Sequence, residues 1–83
     1  MIFAPSAGMQ RLSHDQLEIL RLNLRRVRDS KRMTREQVAE AAGISVRFLA
    51  FIEDGRFGCS LEVLLRIRRA LGCSWEELLI GLE

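Results

Sequence analysis

Side chains that commonly carry catalysis or hold metals are sparse in this sequence. His14 is the only histidine, and the two cysteines, Cys59 and Cys73, form no C-x-x-C pair. A zinc site needs a set of nitrogen or sulfur ligands, and a nucleophilic serine or cysteine needs a nearby base. We therefore predict a protein that is not an enzyme and has no metal site, cofactor or small-molecule ligand. Reduced thiols in a cytoplasmic protein are expected, with a Cys59–Cys73 disulfide as the less favoured alternative.

The basic residues are concentrated in one part of the chain. Between Arg21 and Arg35 there are seven arginines and lysines against a single acid, Asp29, although the net charge of the whole chain is only +2. The rest of the sequence is therefore net acidic. A solvated helix face explains such a run in many proteins, but a concentrated positive field also attracts a polyanion. The charge pattern alone leaves both interpretations open.

The length of 83 residues allows one domain with one hydrophobic core. No apolar run approaches the roughly 18 to 20 residues that a membrane-spanning helix requires, so no membrane partner is expected. Residues 1–12 are predicted to be a flexible N-terminal tail and residues 13–83 the domain. The fold class is all-α, because only one proline occurs and strand-type alternation is absent.

Capping signals divide the domain into five predicted helices. Each helix start carries a serine or threonine that can accept a backbone N–H hydrogen bond, and three of these caps begin a capping box. The caps are Ser13, Thr34, Ser45, Ser60 and Ser74. The first helix should end at about Ser30 or Lys31, the second at Gly43, the third at Asp54 before Gly55, and the fourth before Gly72.

The fourth helix has a wide apolar face. We expect it to be contacted on two sides and to be central to the core. Its apolar residues are Leu61, Leu64, Leu65, Ile67 and Leu71.

The second and third helices form the most informative unit. They are about two turns long, and the connection Ala42-Gly43-Ile44-Ser45 is too short for antiparallel packing, so the two helices must cross steeply. Such a crossing needs a small residue at the contact, a glycine able to turn left-handed and apolar residues facing inward. Ala39 and Gly43 meet the first two needs, and the inward set is Val38, Ala42, Ile44, Leu49 and Ile52.

Several motifs at fixed spacing carry a resemblance to a known family. They are Val27-Arg28, Thr34-Arg35-Glu36-Gln37-Val38-Ala39, Gly43-Ile44-Ser45, residues 49–55, Ser60-Leu61-Glu62 and Ser74-Trp75-Glu76-Glu77-Leu78-Leu79. With this spacing, the chain resembles the Cro and lambda-repressor class of helix-turn-helix proteins, the XRE family, from Leu24 to Leu79. The resemblance implies a compact five-helix DNA-binding domain whose third helix lies in the major groove of double-stranded DNA.

The same resemblance implies the roles of individual residues. Base contacts fall on Ser45, Val46, Arg47, Ala50 and Phe51, and phosphate contacts on Thr34, Arg35, Gln37 and Arg56. Arg47 is the strongest candidate for specificity, because a guanidinium can bond guanine O6 and N7 together. Arg28 and Glu53 are expected to form a structural ion pair between the first and third helices.

Phe51 departs from the family pattern, which usually has a long polar or basic residue there. Two interpretations stay open: apolar contact with thymine methyl groups, and packing against Phe57 or a partner chain. Arg35 likewise replaces a common glutamine.

Two functions are consistent with this sequence. The first is a stand-alone transcriptional regulator, such as a phage repressor or restriction-modification controller, that binds a pseudo-palindromic operator as a homodimer. The expected dimer surface is the fifth helix and C-terminal tail, with Trp75, Leu79, Ile80 and Leu82. The second is a protein-interaction module of the same fold, such as an antitoxin or coactivator subunit, suggested by the apolar residues Val46, Phe48 and Phe51 of the third helix.

Overall fold

A computed structural model describes residues 12–55 and 59–82 of the chain. The described residues form helices α1 (His14–Ser30), α2 (Arg35–Ala42), α3 (Val46–Glu53), α4 (Leu61–Leu71) and α5 (Trp75–Leu79), with no strand among them. The predicted all-α class with five helices is confirmed. Apart from Leu12, the predicted N-terminal tail lies outside the described residues.

Every predicted N-terminal cap is formed. Each capping residue has an extended backbone, and its hydroxyl accepts a hydrogen bond from the N–H group three residues later; the caps are Ser13, Thr34, Ser45, Ser60 and Ser74. In the three capping boxes, the side chains of Gln16, Gln37 and Glu77 accept the cap residue's own N–H at 2.9 Å. These reciprocal bonds satisfy N–H groups that have no partner within the helix.

Glycines follow the C-terminal ends of α2 and α4, as the sequence indicates, whereas α1 ends without a glycine. Gly43 and Gly72 follow α2 and α4 in the left-handed conformation, with φ of +73° and +67°. The end of α1 has no glycine, and there Arg32 takes a φ of +57°. The carbonyl of the next residue, Met33, accepts a hydrogen bond from Arg28 Nη1 at 3.0 Å. This bond ties the turn after α1 back to the helix.

Each of the five helices contributes apolar side chains to a single core. Leu24, Val38, Leu49, Ile67 and Leu78 come from α1 to α5 in order, and none is more than 1% exposed. Full burial of a side chain of this size stabilises the fold by about 1.5 to 3 kcal/mol. The core thus fixes α2 and α3 on a support made by the other three helices.

The packed face of α4 is narrower than its sequence suggests. Leu64, Ile67 and Leu71 are buried and Leu65 is half-buried, but Leu61 is 74% exposed. The expectation that Leu61 belongs to the apolar core face is therefore wrong. Leu61 is the first residue of α4, one turn before Leu64, so it extends the apolar stripe beyond the part that packs.

A buried asparagine joins the C-terminal end of the domain to α1. Asn23 is 7% exposed, and its Nδ2 donates hydrogen bonds of 2.9 Å to the carbonyl oxygens of both Leu78 and Ile80. Its Oδ1 accepts a bond of 3.0 Å from Arg26 Nη2. Because both amide hydrogens and the oxygen are bonded, this polar side chain is accommodated at the α1–α5 contact.

The two cysteines are not bonded to each other: Cys73 is buried and Cys59 half-buried. Burial raises the pKa of both thiols, which lowers the fraction of reactive thiolate. Among residues 12–55 and 59–82, no three histidine, cysteine or acidic side chains are grouped so as to hold a metal ion. None of the described helices is long and apolar enough to cross a lipid bilayer.

Candidate nucleic-acid interface

The connection between α2 and α3 is built around Gly43. Its φ of +73° is a conformation that only glycine adopts without strain, and the Ile44 N–H donates to the Ala39 carbonyl at 3.0 Å across the turn. Ala39 and Ala42, on the inner side of α2, are 1% and 4% exposed. Small side chains at these positions allow α2 and α3 to approach closely.

Helix α3 has an inner and an outer face. Leu49, Ile52 and Glu53 are buried on the inner face. The residues predicted to contact bases are on the other side of the helix, where Ser45, Val46 and Arg47 are exposed and Ala50 and Phe51 are half-buried. The outer face is defined here as these five residues. They share one face because Val46 and Ala50, like Arg47 and Phe51, are one helical turn apart.

Two members of the outer face contact each other. The Arg47 guanidinium carbon lies over the Phe51 ring, 5.8 Å from the ring centroid. This distance is within the range of a cation–π interaction, which is worth about 0.5 to 1 kcal/mol at an exposed site. The contact restricts the conformations of an otherwise flexible arginine.

The N-terminus of α2 presents the predicted phosphate-contacting residues. Thr34 Oγ1 accepts the Gln37 N–H at 3.0 Å, and Gln37 Oε1 accepts the Thr34 N–H at 2.9 Å. Any contact from the Gln37 side chain to a phosphate must therefore come from its Nε2 hydrogens. The positive end of the helix dipole favours an anion at this position. Arg56, the fourth predicted phosphate contact, lies outside the described residues.

A buried carboxylate connects α1, α2 and α3. Glu53 is 1% exposed, and Arg28 donates to it from Nε at 2.8 Å and from Nη2 at 3.1 Å. This is the ion pair that the family resemblance implies. Arg35 also donates from Nε to Glu53 Oε1 at 2.8 Å. The carboxylates of Asp29 and Asp54 also lie within 4 Å of these guanidinium groups, so two arginines and three acids share the cluster beside the N-terminus of α2.

Arg35 is consequently both a structural and a surface residue. Its hydrogen bond to Glu53 raises the pKa of its guanidinium, so it stays charged. Its side chain is 33% exposed, and Nη2 lies 3.8 Å from Asp54 Oδ1. The bond through Nε holds the guanidinium in place while part of the group still faces solvent. The sequence indicated a phosphate contact here but not this bond to Glu53.

Sequence reasoning also missed the roles of Asn23 and Arg26. Arg26 Nη2 bonds both Asn23 Oδ1, at 3.0 Å, and the Glu77 carbonyl, at 3.3 Å. The available signal was the position of Asn23, three residues after Leu20 and four before Val27. A polar residue on that buried stripe needs partners.

The residues expected to form a dimer surface are unequally exposed. Trp75, Leu79 and Leu82 are half-buried against the core, and Arg68 lies over the Trp75 ring at 5.0 Å from the centroid. Ile80 is 58% exposed. On α1, the adjoining helix, Leu22 is 48% exposed and follows Ile19, whose side chain approaches Gly81. The exposed apolar surface therefore centres on Ile80 and Leu22.

Solved structures with the same fold include bacterial regulators. The restriction-modification controller protein C.AhdI from Aeromonas hydrophila is 26% identical, with a TM-score of 0.73 over 77% of this chain and 97% of its own. The clp gene regulator ClgR from Corynebacterium glutamicum is 37% identical, with a TM-score of 0.74 over 78% of this chain and 69% of its own. The hypothetical transcription factor NHTF from Neisseria, 21% identical with a TM-score of 0.73 over 90% of this chain and 87% of its own, shows the fold alone.

Sequence comparison assigns the family directly. No curated protein matches the chain closely enough to be counted as a relative. Residues 24–78 match the helix-turn-helix family, a span that runs from α1 into α5 and includes the whole α2–turn–α3 unit. With this match and the two regulators above, the chain belongs to the XRE-type helix-turn-helix family of DNA-binding transcription regulators.

Proposed function

We propose that this protein is a sequence-specific transcriptional regulator that binds a pseudo-palindromic operator as a homodimer, with α3 in the major groove. The observation that carries the proposal is the outer face of α3. It presents an exposed arginine, Arg47, on a helix whose inner face is fixed in the core. A major groove accommodates one α-helix and displays a different pattern of donors and acceptors for each base pair.

Arg47 is proposed to supply most of the specificity. A guanidinium can donate two parallel hydrogen bonds to guanine O6 and N7, and such a pair is worth about 1 to 3 kcal/mol of discrimination against other bases. Ser45, Val46, Ala50 and Phe51 surround Arg47 on the outer face and complete the proposed base-reading surface.

The N-terminus of α2 is proposed to position the protein on the DNA backbone. Thr34 and Gln37 cap the helix, and Arg35 adds a cation that Glu53 holds in place. Together with Arg56, these groups are suited to phosphate contacts, which fix the register of the protein but carry no sequence information. Their loss should weaken binding to all DNA sequences to a similar extent.

The proposed dimer surface is the α1–α5 side of the domain. It includes Trp75, Leu79 and Leu82, and Ile80 is its most exposed large apolar residue. A two-fold dimer would place two α3 helices in successive major grooves, about 34 Å apart. The half-sites of the operator should then be centred roughly one helical turn apart.

A regulatory role is supported by two similar proteins that are each more than 25% identical to this chain. C.AhdI is a restriction-modification controller protein and ClgR is a clp gene regulator. We propose repression of a promoter that overlaps the operator, in the cytoplasm, as the biological activity of this chain. It requires no enzymatic step.

Substitution of Arg47 tests the proposal. We expect Arg47→Ala to lower affinity by about 5-fold to 150-fold for each half-site, the loss of one bidentate contact, and to remove discrimination at the guanine of each half-site. Arg69→Ala is the matched control, because it removes the same charge from an exposed position on α4. Fluorescence anisotropy gives the affinities, and circular dichroism verifies that both variants fold.

The alternative function predicts a different result. If the outer face holds a protein, then Arg47→Ala and Arg69→Ala should lower DNA affinity equally, by loss of charge alone. Equal losses with no sequence preference in the wild type would contradict the proposed regulator and favour the protein-interaction module.

A further inference from the structure

We infer that Arg47 and Phe51 act as one reading unit, which recognises a guanine together with a thymine methyl group in the neighbouring base pair. The inference rests on the proposed function, because it specifies which bases α3 reads. It starts from the contact between the two side chains, 5.8 Å from guanidinium carbon to ring centroid.

The contact determines how the arginine can approach a base. A guanidinium bonds guanine O6 and N7 through its edge, so its plane then lies close to the plane of the base. In the proposed complex the Phe51 ring stacks on one face of the guanidinium, which displaces the ring from the plane of the base along the axis of the duplex. Successive base pairs are about 3.4 Å apart along the axis, so a ring in this position can reach the neighbouring base pair.

The chemistry of Phe51 selects what it can recognise there. Its side chain has no hydrogen-bond donor or acceptor, and the C5-methyl group of thymine is the one apolar group that the normal bases present in the major groove. Phe51 is half-buried, so part of its ring is accessible on the outer face. The unit therefore predicts a guanine and a thymine in adjacent base pairs of each half-site.

The two contacts should also depend on each other. With the Phe51 ring in place, Arg47 is held in a restricted set of conformations before DNA binds, which lowers the entropy lost on binding. Removal of the ring should therefore weaken guanine recognition as well as thymine recognition. Two independent contacts would instead give losses that add.

The experiment changes the DNA before it changes the protein. In the duplex with the highest affinity, the thymine next to the guanine is replaced by deoxyuridine, which removes only the methyl group. We expect wild-type affinity to fall by about threefold to fivefold, the effect of one buried methyl-sized group. Deoxyuridine at thymines elsewhere in the site is the control. This comparison needs no protein variant.

Protein variants then assign the effect to a residue. Phe51→Ala should bind the thymine and deoxyuridine duplexes equally, whereas Leu61→Ala, at an exposed apolar position on α4 outside the proposed interface, should keep the discrimination. Replacement of the thymine by deoxycytidine or 5-methyldeoxycytidine separates the methyl group from the rest of the base. The methylated cytosine should bind more tightly, by a similar factor.

Three results would overturn the inference. They are a preferred site with no thymine next to the guanine, equal wild-type affinity for the thymine and deoxyuridine duplexes, and a discrimination that Phe51→Ala retains. If Arg47→Ala still loses guanine specificity in these cases, the proposed function stands and only the paired reading fails. A protein with no sequence preference at all would contradict both.

Discussion

Glu53 shows how a single side chain can organise the DNA-facing part of this domain. It is on the inner face of α3, and it accepts hydrogen bonds from Arg28 of α1 and Arg35 of α2. Burial of a carboxylate is costly unless it is paired and hydrogen-bonded, and these three bonds supply that compensation. The same bonds fix the relative positions of the three helices that carry the proposed interface.

Replacement of Glu53 should therefore destabilise the fold strongly. Glu53→Gln keeps the shape but removes the buried charge that both guanidinium groups bond and leaves them only the more distant carboxylates of Asp29 and Asp54. We expect it to lower the free energy of unfolding by about 3 to 5 kcal/mol. Arg35→Gln removes only one bond from a partly exposed group, so about 1 kcal/mol or less is expected. Urea denaturation of both variants provides the measurement. Similar losses of unfolding free energy for Glu53→Gln and Arg35→Gln would show that Glu53 is not the centre of this network.

The sequence revealed part of this arrangement. The Arg28–Glu53 pair was expected because the family motif includes both positions. The Arg35–Glu53 bond was not, because it joins residues 18 apart through one of many possible arginine conformations. Which acid an arginine reaches depends on how the helices pack, and no local pattern encodes it. Phe51 is similar: the sequence indicates contact with DNA, or packing against Phe57 or a partner chain, and the structure adds a cation–π partner, Arg47.

At the scale of elements, the five helices depend strongly on their caps. Helix α5 has only five residues, too few for stability in isolation. Its capping box joins Ser74 and Glu77, and Asn23 holds the chain at its end. The backbone hydrogen bond from Ser74 lowers the pKa of the Glu77 carboxyl below its usual value. This bond makes the start of α5 sensitive to acid.

The sign of that sensitivity follows from the lowered pKa. The Glu77 carboxylate contributes stability that is present above the unfolded pKa and is lost as the pH falls through the folded pKa. Glu77→Gln keeps an acceptor in the capping box but does not titrate. We therefore expect the stability of the wild type relative to Glu77→Gln to decrease between about pH 6 and pH 3. Thermal unfolding followed by circular dichroism measures this difference.

A control separates the capping box from general charge effects. Glu76→Gln removes a carboxylate from the same first turn but leaves the Ser74–Glu77 bonds intact. The difference in stability between the wild type and Glu76→Gln should change less over the same pH range than the difference for Glu77→Gln. Identical pH dependence of the two variants would mean that the capping bond does not cause the effect.

The elements were predictable because their signals are local. A cap and its partner are three residues apart, so Ser13, Thr34 and Ser74 could each be identified with their capping boxes from the sequence. Burial, in contrast to capping, is not determined by local sequence. Leu61 has the spacing of a core residue but is 74% exposed, since exposure depends on which element covers a position. The helix pattern therefore gave the start of α4 correctly and the extent of its packed face incorrectly.

At the scale of the whole molecule, the domain has two surfaces with different chemistry. The outer face of α3 and the N-terminus of α2 carry Arg47 and Arg35, whereas the α1–α5 side exposes Leu22 and Ile80. Separate surfaces would allow a dimer to form without covering the proposed DNA-binding residues. A homodimer with two-fold symmetry uses the same patch on both subunits, so one substitution acts twice.

Lysine substitutions on two exposed apolar residues test the proposed dimer surface. We expect Ile80→Lys to convert the dimer to a monomer, because each interface would bury two new charges. Leu61→Lys is the matched control on α4, where it should leave the dimer intact. Sedimentation equilibrium gives the masses. A monomeric wild type, or dissociation by Leu61→Lys but not by Ile80→Lys, would contradict the assignment.

Selection of bound duplexes from a random pool, followed by salt titration of the preferred duplex and a scrambled one, tests the central claim most directly. Phosphate attraction decays steeply between about 50 and 200 mM salt for every sequence, but contacts to base edges distinguish the two duplexes at each salt concentration. We predict a two-fold symmetric site with a guanine in each half-site, and an affinity about 10³-fold or more above that for the scrambled duplex. Unpatterned binding that disappears equally for both duplexes as salt rises would contradict sequence recognition by α3.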